Sequence, residues 1–305
     1  MPPQVSPPAT PPGRHSTAGL AQVAAGAVMI SFAAVWVRLA DVGPTAAGVY
    51  RMLVGALVLL PVALLRRERL WAGWRAAGFV AAAGVCFTLD LVFWHKSILL
   101  VGPGLATILA NFQVFLLAAF GFVVLGERLH WRFAVAVPAA LLGLFLLVGV
   151  NWRVLADDYR SGVVFGLLTA LSYGTYLLVL RASQARSSRL EPLPNLMAIC
   201  WVTTVLLVLV AAAEGESLRI PSPATGGILL LYGVTAQVLG WLLISRGIAH
   251  VAAGRAGLML LLQPSLAFVW DVLFFHRPTS ATDVAGAVLA LGAIYLGTTG
   301  GGRRR

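Results

Sequence analysis

Two charged residues lie where charge is expensive. Arg51 falls about seven residues inside the apolar run 45–65, and Asp90 about five residues short of the end of the run 76–95. An ionisable side chain within such a run costs ~2.5–3.5 kcal/mol or more unless it is paired or wetted. At a helical rise of 1.5 Å per residue the two sit at similar depth, roughly 10 Å from the same end. The expectation is an Arg51–Asp90 ion pair. Such a pair either locks two helices together or lines a cavity, offering one charge of each sign to a zwitterionic substrate. In the second case Asp90 is also the best-placed carrier of a proton.

Polar and aromatic residues repeat at helical spacing around these two. Phe87, Asp90 and Trp94 are spaced i, i+3, i+7 and share one face. Thr107 and Asn111 are four apart; so are Gln237, Trp241 and Ser245 in turn, and Thr169, Tyr173 and Tyr176 repeat the pattern. Trp36 and Trp270 add large rings in other runs. The expected substrate-binding set is Trp36, Arg51, Phe87, Asp90, Trp94, Thr107, Asn111, Tyr173, Tyr176, Gln237, Trp241 and Gln263. A mostly apolar cavity with a few convergent polar groups is the usual form of a small-molecule site. The competing reading is helix packing, in which Ser, Thr and Tyr bond across helices.

Chemistry of other kinds lacks its residues. There is no H-E-x-x-H, no G-x-S-x-G and no G-x-x-x-x-G-K-[ST], and the acidic pair Asp157–Asp158 lies between runs. Cys86 and Cys200 have no pair spacing and read as small buried apolar residues. No catalytic residue, metal or cofactor is expected. His95 and Asp271 are placed near a surface, and Glu127, beside Arg128 and Arg132, reads as a helix-end anchor.

The elements that position these residues follow from composition. The chain is 59% hydrophobic and 11% charged, whereas a soluble domain carries about 25% charged residues. Apolar runs appear at 18–37, 45–65, 76–95, 103–125, 132–150, 161–181, 193–213, 224–245, 255–275 and 282–299. Each approaches the ~20 residues needed to cross a bilayer, so the expected class is an all-α polytopic membrane protein of ten transmembrane helices. Residues 1–17 hold six prolines and form a Pro-rich tail; 300–305 form a basic one. With the N-terminus in the cytoplasm, fifteen basic residues fall on the inner side and six (Arg38, Lys96, Arg153, Arg160, Arg219, Arg277) on the outer. That bias puts both termini inside. Trp71, Trp74, Trp131 and Trp152 lie near run ends and read as interfacial anchors. The formal charge of +11 is spread between runs in short groups, which points to topology rather than to nucleic acid.

The stretch Asp90–Gln113 returns 150 residues later as Gly240–Gln263. Lys96 meets Arg246, and Ile98, Val101, Gly104, Ala106 and Gln113 meet identical residues. Two halves, 18–150 and 161–299, each hold five runs; an odd number inverts the second half relative to the first. Inverted repeats with a site at their interface are a transporter plan. Gly102-Pro103-Gly104 and Gly254 with Gly257 are the expected hinges, and Pro138 and Pro264 the expected kinks.

These stretches resemble the drug/metabolite transporter superfamily, in its EamA-type branch of ten-helix carriers. The resemblance is carried by Asp90–Ile98 with Gly104–Gln113, by Leu125-Gly-Glu-Arg-Leu129, and by Gln263-Pro264. It departs at Val114, where the family often has proline, and at Arg277, where it usually has glutamate. It implies a secondary transporter of a small organic metabolite, an exporter of amino acids or related compounds, in the cell (inner/plasma) membrane. The expected partners are that substrate, the lipid bilayer and a coupled proton, with no nucleic acid, in a monomer or homodimer. The alternatives are an integral membrane enzyme acting on lipid and a carrier of drugs, sugars or nucleotide-linked metabolites.

Overall fold

A computed structural model describes residues 17–123, 131–149, 156–184, 191–248 and 259–299, and everything regular in these residues is helical. Seven helices are long and apolar enough to cross a membrane: α1 (Thr17–Leu39), α2 (Pro44–Leu65), α3 (Trp74–Val101), α4 (Pro103–Phe120), α6 (Asp157–Leu180), α7 (Pro192–Ala213) and α8 (Pro223–Ile244). Three shorter apolar helices are α5 (Trp131–Leu147), α9 (Leu262–Phe275) and α10 (Ala281–Gly297). The chain is a multi-pass membrane protein.

Proline opens four of these helices. Pro44, Pro103, Pro192 and Pro223 stand in their first turns, where the missing N–H is one of those without an intrahelical partner and the fixed φ suits the helix. The third helix is longer than expected. It runs through Lys96 and on to Val101, because Ser97–Val101 is apolar enough to continue the turn. It stops only at Gly102, whose φ of 88° a side chain would strain.

Several helices are interrupted near mid-length. α1 breaks at Phe32 and α4 at Asn111–Phe112, α8 carries a π-turn over Gly233–Gly240, and a turn at Leu261 sets the helical residues 259–260 off from the start of α9. The turns at Asn111 in α4 and at Leu261 just before α9 stand 150 residues apart, the offset of the repeated stretch.

Packing joins the two halves throughout. α3 lies on α6 and α7, α1 on α8 and α9, α2 on α7 and α8, α4 on α6 and α9, and α5 on α10. Exchanging first-half helices for their second-half counterparts leaves this set of pairings unchanged. Small residues let backbones close in: a Cβ on Gly143 would stand 2.6 Å from the Ala290 nitrogen, and one on Gly286 2.8 Å from the Gly143 oxygen. One core gathers Val49, Met52, Leu91 and Leu207; a second gathers Ile98, Leu105, Ile108 and Tyr232. Apolar side chains also cover the outside, with Leu65 85% and Val288 66% exposed. Such a surface suits lipid rather than water. Trp71 and Trp74 meet edge to face beside Arg66, Arg67, Arg69 and Arg75.

Two residues expected near a surface are buried. His95 is fully enclosed and Asp271 is 1% exposed. The extra turns of α3 carry His95 inward of the helix end, and Asp271 is covered by the start of α4. Glu127, Arg128, Trp152, Gly254 and Gly257 lie outside the described residues.

Candidate binding cavity

A cavity of about 360 Å³ lies among α1, α2, α3, α4, α6, α8 and the start of α9. Arg51 from α2 and Asp90 from α3 both line it, with Phe87 and Trp94 on the same face of α3. Thr107, Asn111 and Gln113 enter from α4, Tyr173 from α6, Trp241 from α8, and Gln263 from α9. Gln113 and Gln263, equivalent by the 150-residue offset, thus face one space. Ile30, Ala110, Thr169, Leu177, Ile244 and Leu260 complete the wall.

Three expected residues stand elsewhere. Trp36 does not reach the cavity; it stacks on Phe32, which in turn stacks on Trp270 at 4.7 Å where α1 meets α9. Tyr176 sits behind the wall, its ring 4.7 Å from that of Phe87 and 5.9 Å from that of Tyr173. Gln237 is fully buried and acts on Arg51 rather than on the cavity.

The expected Arg51–Asp90 ion pair is not formed: no guanidinium nitrogen of Arg51 comes within 4.0 Å of an Asp90 carboxylate oxygen. The Arg51 Nε instead donates to Gln237 Oε1 at 3.0 Å, and its Nη1 to the Tyr232 hydroxyl at 3.1 Å. Its guanidinium also lies 5.3–5.9 Å from the rings of Phe87, Trp94 and Tyr232, a distance at which a ring face attracts a cation. Neutral acceptors therefore occupy Arg51 Nε and Nη1, and Asp90 has no hydrogen-bond donor among the described residues.

Tyr232 was not legible as a site residue. It stands five positions before Gln237, which in an α-helix of 3.6 residues per turn rotates the two about 140° apart. The π-turn at Gly233–Gly240 bonds i to i+5 and so brings both toward Arg51. Gly233 permits the approach, since a Cβ there would stand 2.5 Å from that of Val54 on α2.

On the cavity wall two polar atoms are buried without a partner among the described residues, the Trp94 Nε1 and the Gln113 Oε1; Trp36 Nε1 and Glu68 Oε2 are likewise unpartnered elsewhere. Of the two wall atoms, one is a donor and one an acceptor. Thr107 and Asn111 have spent part of their capacity locally: Thr107 Oγ1 donates to the Pro103 carbonyl at 2.7 Å, and Asn111 Nδ2 to the Thr107 carbonyl at 2.8 Å.

At the Pro44 end the halves are tied by charge. Lys96 Nζ meets Glu214 Oε1 at 2.5 Å, and Thr45 Oγ1 donates to the same carboxylate at 3.0 Å. Burial alone would raise the Glu214 carboxyl, but its bonds to Lys96 and Thr45 win and hold it below its ordinary value. Glu216 accepts from the Ala46 and Thr45 N–H at 2.7 and 3.3 Å, so a carboxylate caps the positive end of α2. Tyr50 donates to the Leu218 carbonyl. Asp271 accepts from the Gly104 N–H at 3.1 Å and pairs with Arg277 at 3.3 Å, while Arg277 donates to the Val101 carbonyl and to Tyr159. The expected hinge at Gly102–Gly104 is thus pinned in this structure; a Cβ on Gly102 would fall 2.5 Å from Asp271 Oδ2. An open hollow of about 500 Å³ between Asp41–Gly43 and Glu216–Pro221 is walled by loops.

The described helices thus form an apolar bundle with a largely apolar cavity that holds a few convergent polar groups. Comparison with known proteins assigns that bundle to a family. The profile of the EamA-like transporter family matches residues 17–149 and again 160–299. The chain belongs to the EamA-like transporter family. It is 21% identical to an uncharacterized transporter of Archaeoglobus fulgidus over 91% of this chain and 95% of that one. It is 24% identical to the pseudopaline exporter CntI of Pseudomonas aeruginosa, over 79% and 81%, and 25% identical to the biotin transporter of Escherichia coli, over 56% of each. A solved crystal structure matches with a TM-score of 0.65 at 17% identity, covering 95% of this chain and 99% of that one; the likeness is one of fold.

Proposed function

We propose that this protein is a secondary carrier that exports amino acids or related amphiphilic zwitterions across the cell (inner/plasma) membrane by alternating access. One observation carries the reading. Within an otherwise apolar bundle, a cavity of about 360 Å³ presents one cation, Arg51, and one carboxylate, Asp90, that are not paired with each other. Two opposite charges kept apart at membrane depth are costly, and a zwitterion bridging them offsets that cost. Phe87, Trp94, Tyr173 and Trp241 supply an apolar wall for its side chain.

The ten apolar helices all cross the membrane on this reading, as two inverted five-helix repeats with both termini cytoplasmic. The interchangeable helix pairings and the two family matches support that arrangement. The charged ties between halves cluster at the Pro44 end, while the cavity reaches past Arg51 to Leu177 and Ile244 near the opposite ends of their helices. A carrier closed outside and reachable from within fits this distribution. Outward transport is also in keeping with the name of the pseudopaline exporter. Asp90 is the proposed proton carrier.

Counterflow in proteoliposomes with a panel of amino acids tests the proposal. Exchange of at least one zwitterion is expected. Exchange of none, with exchange of uncharged or singly charged solutes instead, rules out the substrate class; activity on lipid with no exchange at all rules out the carrier.

A further inference from the structure

Behind the cavity wall, a line of neutral polar groups runs from the Pro44 end to Arg51. The direction of every bond in it follows from donor and acceptor inventory. Arginine only donates, so the Tyr232 oxygen accepts from Arg51 Nη1 at 3.1 Å. The hydroxyl proton then goes to His95 Nε2, 2.7 Å away. That leaves the His95 proton on Nδ1, where it donates to the Pro44 carbonyl at 2.9 Å. On the other side, Gln237 gives its carbonyl oxygen to Arg51 Nε and its Nε2 to the Cys200 sulfur at 3.4 Å.

None of these partners carries charge, so Arg51 is held in place without being neutralised. Its Nη2 has no acceptor among the described residues, and Asp90 is the carboxylate of the described cavity wall. Without the Tyr232 hydroxyl, the guanidinium would turn toward that carboxylate, and the two would cancel. The cavity would then have lost both its cation and its anion to each other.

We infer that Tyr232 and His95 are positioning residues: by holding Arg51 away from Asp90 they aim its remaining N–H groups at a carboxylate of the transported solute. The inference rests on the carrier reading above and adds to it which end of the solute meets α2. Neither residue touches the solute.

The test is counterflow of L-leucine in proteoliposomes, with leucine amide, which keeps the amine but lacks the carboxylate, as a competitor. Loss of a charge-assisted hydrogen bond is worth roughly a tenfold change or more in affinity. Tyr232→Phe is expected to raise KM for leucine about tenfold, with a smaller change in kcat and unchanged competition by leucine amide. His95→Leu should act like Tyr232→Phe, whereas His95→Gln, which keeps an acceptor for the Tyr232 hydroxyl, should recover most of the loss. Equal weakening of leucine and leucine amide in Tyr232→Phe, at normal folded yield, overturns the inference and leaves the carrier standing. No recovery in His95→Gln, when both His95 variants fold like wild type, also overturns it. Failure of the wild-type protein to exchange leucine or any other zwitterion removes the carrier reading, and this inference with it.

Discussion

Asp90 carries the only charge of its sign on the described cavity wall, and no donor among the described residues satisfies it. Asp90→Asn should therefore cut exchange per folded molecule at least about tenfold while leaving folded yield near wild type, as measured by counterflow and by size-exclusion chromatography in detergent. Unchanged exchange with a lower yield would leave Asp90 a purely structural role. Gln237 is a different case. It is fully buried and holds Arg51 Nε, so Gln237→Leu strands a charged donor and should destabilise the fold by about 1–3 kcal/mol, read as a lower Tm in detergent. The i, i+3, i+7 spacing put Phe87, Asp90 and Trp94 on one face because α3 is regular there, and the three line one cavity with Arg51. The sequence paired Arg51 with the wrong residue because Tyr232 becomes its neighbour through a π-turn, and nothing in the local composition of Gly233–Gly240 announces a change of helical period.

Among helices, close approach decides what each contact tolerates. Gly233→Ala puts a Cβ 2.5 Å from that of Val54 and should lower Tm by separating α8 from α2; Gly227→Ala, with nothing within 4 Å, should be neutral or stabilising by up to about 1 kcal/mol. Equal melting of the two variants would contradict the packing described. The tie from α3 to α7 depends on pH. Glu214 is held below its ordinary value, so its contribution is present above the unfolded-state value and is lost as pH falls through the lowered one. Electron-resonance distances between spin labels at Asp41 and Ser217 should broaden on acidification through that range. Glu214→Gln should show the broadened distribution at neutral pH; a distribution indifferent to both changes would show that the Lys96–Glu214 contact does not hold this end. Helix positions were legible because lipid leaves backbone groups no partner but the helix itself. The breaks at Phe32, Asn111 and Leu261 were not, since a break inside an apolar run leaves hydropathy unchanged.

For the molecule as a whole, orientation is the accessible prediction. Residues 66–73 carry Arg66, Arg67 and Arg69 between α2 and α3, and a cysteine at Glu68 in intact cells should resist a membrane-impermeant thiol reagent until the membrane is permeabilised. One placed at Arg219, between α7 and α8, should react at once. The reverse pattern would invert the proposed topology and turn the closed end toward the cytoplasm. The charge bias between alternate loops made this reading available from sequence, because translocation itself counts basic residues. The enclosure of His95 and Asp271 was hidden for a related reason: loop charge reports sidedness, not how deeply a helix end is covered.

The π-turn in α8 has an energetic consequence. Two identical halves inserted in opposite senses would make the inward-facing and outward-facing forms related by a two-fold rotation in the membrane plane, and so equal in free energy by symmetry. α3 runs as α-helix from Trp74 to Val101, but its counterpart is wound wider over Gly233–Gly240, and Gly240 stands where the first half has Asp90. The degeneracy is broken. One form must be the ground state before any solute binds, and a ratio of ten between the two populations needs only about 1.4 kcal/mol. On the proposed carrier reading, such a protein rests facing one compartment, and binding must offset the bias on the uphill leg of the cycle, which the return leg gives back.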